Sequence, residues 1–204
     1  CEIGARIVLP PPMKVKVTSA KLVPGSQPQR SVEGSDGSIN SVIDWSRAAK
    51  VGVRLYPNVT GNIHNHTLSK QDVVIRVNQY GLRGPELAAK QPGEYRVLFM
   101  GDSITFGDYV DETLTIPVML QNALKERGAA NVVVMNAGLP GANTSDQYFH
   151  YQELYDLVQP DLILIGMYLN DAQESQKFYA KTLRFPFSAS RFLTWVVKHF
   201  QLLK

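Results

Sequence analysis

One cysteine, at position 1, is all that this 204-residue chain has, so no disulfide can form within it. No apolar run approaches the ~20 residues that a membrane-spanning helix needs. The longest strongly apolar segments, around Val132–Met135 and Leu162–Ile165, are strand-sized. Charge of one sign is also missing. Net charge is +3, and the basic residues are scattered rather than run together, which sets nucleic acid aside as a partner. No internal repeat is visible, so solenoid architectures drop out. The chain has no initiator Met and breaks off at Lys204 inside a helical pattern. It therefore reads as a piece of a longer protein, although an N-terminal cysteine would also fit a mature bacterial lipoprotein. What is present is an ordinary globular balance, 44% hydrophobic and 19% charged, on a chain long enough for a substantial core.

Two regions differ in pattern. Residues 1–92 read as β-rich. Pro10-Pro11-Pro12 is extended, Met13–Thr18 alternates apolar and polar as a half-buried strand does, and Val51–Tyr56 and Val73–Val77 alternate again. Pro24–Asn40, rich in Ser, Gly, Pro and Gln, reads as a loop. Residues 93–204 instead repeat strand, loop, helix. Arg96–Met100, Val132–Met135 and Leu162–Ile165 are the strands. Ile116, Leu120 and Leu124 mark one helix, with Pro117 in its first turn and Gly128 as its stop. Thr144 to Gln147 reads as a capping box opening a second helix, with Tyr148, Tyr151, Tyr155 and Val158 on one face. A last amphipathic helix covers about Arg191 to Leu203. Strands alternating with helices predict an α/β fold with a parallel sheet.

The richest stretch is Val97-Leu98-Phe99-Met100-Gly101-Asp102-Ser103, with Gly107 four residues beyond the serine. A buried strand ending in a tight turn holds a serine rigid with its hydroxyl exposed, which suits a nucleophile. Ligands of parallel sheets bind beyond the carboxyl ends of the strands. Three such ends deliver Asp102-Ser103, then Asn136-Ala137-Gly138-Leu139-Pro140-Gly141-Ala142-Asn143, then Tyr168-Leu169-Asn170-Asp171. A serine, a backbone N–H and an asparagine amide converging there could attack an ester carbonyl and hold the resulting oxyanion. One such donor is typically worth ~3 kcal/mol in the transition state.

These blocks resemble the first three sequence blocks of the SGNH (GDSL-like) hydrolases over roughly residues 93–175. The resemblance implies a three-layer α/β/α sandwich like flavodoxin, preceded here by the small β-rich region. It implies Ser103 as nucleophile, with the Ser103 N–H, the Gly141 N–H and the Asn170 side chain as the oxyanion hole. It also implies a serine esterase acting on a small-molecule or carbohydrate acyl ester, such as O-acetyl on a polysaccharide, with no cofactor and no metal. Two departures stand out. Tyr168 occupies the place where the family usually has glycine, and no Asp-x-x-His, the family's source of the catalytic base, occurs in the chain. Without that histidine this piece is expected to be inactive or nearly so. Val51–Asn58, Asn78–Glu86 and Glu2-Ile-Gly-Ala-Arg6 further resemble the lead-in of SGNH proteins attached to bacterial membranes. This implies an extracytoplasmic or membrane-anchored location, with any anchor outside the chain. An O-acyltransferase of the same fold and a non-catalytic binding module are the alternatives.

The remaining polar residues have plainer expectations. Asp102 and Asp171 are expected to bond loop amides. His64 and His66 are expected on the surface rather than in a metal site, and Asp146 with His150 as a solvated pair four apart on a helix. His199 is expected to be partly buried on the last helix.

Overall fold

A computed structural model describes residues 30–34, 37–47, 52–168 and 171. The Met13–Thr18 strand, the Glu2–Arg6 turn, the Arg191–Leu203 helix, His199 and Asn170 lie outside the described residues.

Among the described residues, six strands form two three-stranded sheets. In the first, β1 (Arg30–Gly34) runs parallel to β2 (Val59–Ile63), and β2 pairs antiparallel with β3 (Val73–Val77). In the second, β4 (Tyr95–Gly101), β5 (Val132–Gly138) and β6 (Leu162–Gly166) are all parallel, in the order β5-β4-β6. Three helices accompany the second sheet: a single turn α1 (Ser103–Phe106), α2 (Ile116–Glu126) and α3 (Thr144–Val158). This is the expected α/β arrangement with a parallel sheet and a β-rich region before it. No described helix is long and apolar enough to cross a membrane.

Helix α3 lays Tyr151, Leu154 and Val158 on Leu98, Met100, Met135 and Ala137 of the sheet. Each such large apolar side chain contributes roughly 1.5–3 kcal/mol when fully buried. Its capping box is real but shifted by one residue: Asn143 is the cap, accepting from the Asp146 N–H, and Asp146 answers from the third helical position. The buried face is correspondingly Gln147, His150, Tyr151, Leu154 and Val158, while Tyr148 is exposed. Arg96, buried on β4, donates to the Val158 carbonyl at 3.0 Å and to Glu94 at 2.5 Å, tying the end of α3 to the sheet.

The β-rich region departs from expectation in three places. β1 lies inside the stretch read as a loop, because a mostly polar edge strand lacks apolar alternation. β2 was invisible for a related reason. Its Gly61 and Asn62 break the strand pattern, yet glycine is required, since a Cβ at 61 would collide with Val42. Of the expected Val51–Tyr56 strand, the described residues 52–56 form no regular strand; among them only Leu55 makes a bridge, to Ile43. The two regions also share a core: Phe106 of α1 and Leu139 and Ala142 of the loop after β5 pack with Val42, Ile63, Ile75 and Val77 of the β-rich region.

Asp146 and His150 are not a solvated pair. Both are buried, and neither ring nitrogen of His150 finds a partner among the described residues. Burial, with the nearby Arg54 and Arg47 charges adding to it, holds the His150 pKa well below the ordinary histidine value. The unfolded chain therefore takes up a proton below about pH 6.5 that the folded chain refuses, so stability falls as pH drops through that point. One such proton steepens the slope by up to about 1.4 kcal/mol per pH unit. Urea unfolding between pH 5 and 8 should show this slope, and His150→Leu should flatten it; an unchanged slope would contradict the assignment.

Candidate active site

The carboxyl ends of all three parallel strands finish on glycine, and the glycines are in register: Gly101 is opposite Gly138 on one side and Gly166 on the other. This creates a flat floor with no side chains, and α1 settles onto it. A Cβ on Gly101 would meet the Thr105 side chain well inside van der Waals contact, and one on Gly166 would come 2.6 Å from the same Thr105 Oγ1. A Cβ on Gly138 would strike the backbone of Phe106. Gly101 is thus required for close approach rather than for a bend. Gly107 is required for the turn: it leaves α1 at φ +75°, in the left-handed region.

Ser103 is the first residue of α1 and half-buried. Asp102 caps the helix, its Oδ1 accepting from the Ile104 N–H at 2.9 Å, which is the loop-amide role expected of it. The second strand end gives a type II turn, Leu139-Pro140-Gly141-Ala142. The Ala142 N–H donates to the Leu139 carbonyl at 3.1 Å, and Gly141 takes the φ of +71° that the third turn position demands. Leu139 is fully buried and its N–H donates to the Gly101 carbonyl at 3.0 Å, so the turn carrying exposed Gly141 is tied directly to the strand carrying Ser103.

The third loop is fastened on both sides of position 170. Asp171 Oδ2 accepts from the Tyr168 N–H at 2.7 Å, Oδ1 accepts from Gln147 at 3.1 Å, and its carbonyl accepts from Thr144 at 2.8 Å. This is the structural role expected of it. Burial first, and then the Asp102 charge, push the Asp171 pKa up. Asp108, just after Gly107, is likewise raised by burial.

Two residues that sequence reasoning missed complete the support of α1. Asn136, buried on β5, donates from Nδ2 to the Phe106 carbonyl at 3.2 Å and accepts at Oδ1 from the Gly138 N–H at 3.0 Å. Arg83, from the β-rich region, donates to the carbonyls of Phe106 (2.9 Å), Gly107 and Val110 (2.8 Å). Burial lowers its pKa to about 10. The signal for Asn136 was its place at a strand end. Arg83 gave none, because its partners lie more than twenty residues away.

None of the three described histidines hydrogen-bonds Ser103 among the described residues. His64 is exposed between Asp72 and Glu33, whose hydrogen bonds raise its pKa. His66 is buried rather than on the surface, its Nδ1 accepting from the Leu68 N–H at 3.3 Å. His150 is on the buried face of α3. Among the described residues no three His, Cys, Asp or Glu side chains are grouped to hold a metal ion.

Comparison with known proteins follows the same geography. Residues 97–189 match the model of the GDSL-like lipase/acylhydrolase family. An arylesterase of Vibrio mimicus is 34% identical over 84 residues, 41% of this chain and 41% of that protein. The crystal structure of AlinE4, an SGNH-hydrolase family esterase, is 27% identical over 39% of this chain and 42% of that one, with a TM-score of 0.34. The chain thus spans about two-fifths of the length of these relatives. Through the segment that begins on β4 and carries Ser103, the chain is similar to the SGNH (GDSL-like) hydrolases.

Proposed function

We propose that the protein hydrolyses carboxylic esters with Ser103 as nucleophile. The observation that carries this reading is the glycine floor of Gly101, Gly138 and Gly166, which seats a one-turn helix with serine at its first position. The family match begins on the strand that delivers that serine. In this reading Ser103 Oγ attacks the ester carbonyl while a histidine takes its proton. The oxyanion is held by the Ser103 N–H, the Gly141 N–H and the Asn170 amide. Collapse expels the alcohol, protonated by the same histidine, and water then releases the acid from the acyl-enzyme. Residues 93–204 would carry this chemistry and residues 1–92 would precede it as the β-rich region. No Asp-x-x-His lies within these 204 residues, so this stretch alone is expected to turn over at or near background.

The arylesterase name of the Vibrio mimicus relative makes an aryl ester the first substrate to try. The full-length protein should hydrolyse p-nitrophenyl acetate well above the rate of buffer, with short acyl chains preferred. No hydrolysis in water, but acyl transfer when a polysaccharide acceptor is added, would favour the O-acyltransferase instead. Neither activity on any ester would favour a binding module.

A further inference from the structure

We infer that Arg83 is a positioning residue for the nucleophile, and that through it the β-rich region forms a working part of the active site. The inference rests on the reading of Ser103 as nucleophile. It starts from a shortage of donors. A single helical turn leaves its last carbonyls without partners inside the helix. Those of Phe106 and Gly107 belong to buried residues, where losing a donor is costly. The Arg83 guanidinium serves both, together with the Val110 carbonyl beyond the helix, and lies 5.2 Å over the Phe106 ring; Asn136 also donates to the Phe106 carbonyl and the Val110 N–H to that of Gly107. No carboxylate hydrogen-bonds Arg83 among the described residues. This contrasts with Arg96, which shares Glu94. Arg83 therefore fits capping rather than an ion pair, and its planar fork spreads several donors over carbonyls from three residues.

The other end of Arg83 is fixed as well. Its N–H donates to the Asn136 carbonyl at 3.2 Å, while the Asn136 side chain donates to the same Phe106 carbonyl that Arg83 reaches. The β-rich region, strand β5 and the end of α1 are thus locked together through two buried side chains. Ser103 sits at the start of that turn, and its own carbonyl accepts from the Gly107 N–H at 2.8 Å. Any slippage at Gly107 is passed to Ser103 within one turn. Small misplacements of a reacting group can lower a rate about a hundredfold.

The test uses the full-length protein with Arg83→Met, which keeps the stem and loses the fork, and Arg83→Lys, which keeps the charge but replaces the fork with a shorter-reaching ammonium. Two readouts are taken: the rate at which a fluorophosphonate labels Ser103, and amide hydrogen exchange at Phe106 and Gly107. Arg83→Met is expected to slow labelling roughly 10- to 100-fold, to lower kcat on an ester with KM within about twofold, and to speed exchange at both amides. Arg83→Lys should recover little of either. Labelling and exchange at wild-type rates in a folded Arg83→Met would overturn the inference. Should Arg83→Met fail to fold, the same wild-type behaviour in Arg83→Lys would overturn it. If the wild-type protein is not labelled at all, the nucleophile reading has failed. Exchange at Phe106 and Gly107 then still decides whether the clamp exists.

Discussion

Ser103→Ala is expected to lower kcat/KM on a short p-nitrophenyl ester by roughly ten-thousandfold, about 5.5 kcal/mol of transition-state stabilisation, with little change in folding stability. The size follows from the proposed chemistry. The serine oxygen forms the new bond, and nothing else at the end of β4 can replace it. Asp102, its neighbour, is buried, and its Oδ1 already accepts from the Ile104 N–H. The small stability effect follows from the local structure. Ser103 is half-buried, and the cap that holds α1 belongs to Asp102, so alanine leaves the turn intact and should shift stability by less than about 0.5 kcal/mol. The oxyanion donors would remain, so a residue of catalysis above water should persist. Steady-state kinetics beside a thermal melt reads both quantities. Retention of more than a tenth of the activity would remove Ser103 from the chemistry.

Gly138→Ala is the second large effect, and its signature is the opposite. A Cβ at 138 would lie 2.7 Å from Phe106 Cα and 2.8 Å from the Thr105 carbonyl carbon, both backbone atoms of α1. No rotamer change relieves that clash, so either β5 or the whole turn must move. Overpacking of this kind costs about 3 kcal/mol at the upper end of its usual range, and activity should fall with stability because α1 carries Ser103. Gly141→Ala makes the useful contrast. Nothing lies within 4 Å of its Cβ position, but its φ of +71° is unfavourable to alanine by about 1–2 kcal/mol. That variant should stay folded while losing activity, because the strained turn presents one of the proposed oxyanion N–H groups. Melting temperatures and kcat for the pair separate the floor from the oxyanion turn. Equal melting temperatures for the two variants would contradict the packing argument at Gly138.

What could be read in advance divides along local and non-local lines. The parallel strands announced themselves through continuous apolar runs, and Ser103 through the abrupt Gly-Asp-Ser that ends one of them. The turn at Gly141 was legible because Pro-Gly is a turn signal by itself. The glycine floor was half legible. Gly101, Gly138 and Gly166 were each visible, but their alignment depends on strand register, which no single segment encodes. β1 and β2 were missed because an edge strand with polar residues, and a strand whose glycine makes room for Val42, lack the alternation that marks a strand. His66 and His150 were placed in solvent because helix and strand spacing says which side chains share a face, not what that face packs against. The clamp from Arg83 was beyond reach for the same reason. A cation reads as surface until its three carbonyl partners are brought to it by the fold.

The most direct measurement is the site of covalent modification when the full-length protein is treated with a fluorophosphonate and the digest is read by mass spectrometry. The account predicts a single phosphonyl adduct on the peptide containing Ser103, absent from Ser103→Ala. An adduct on another residue, or none in a protein that hydrolyses esters, would contradict it.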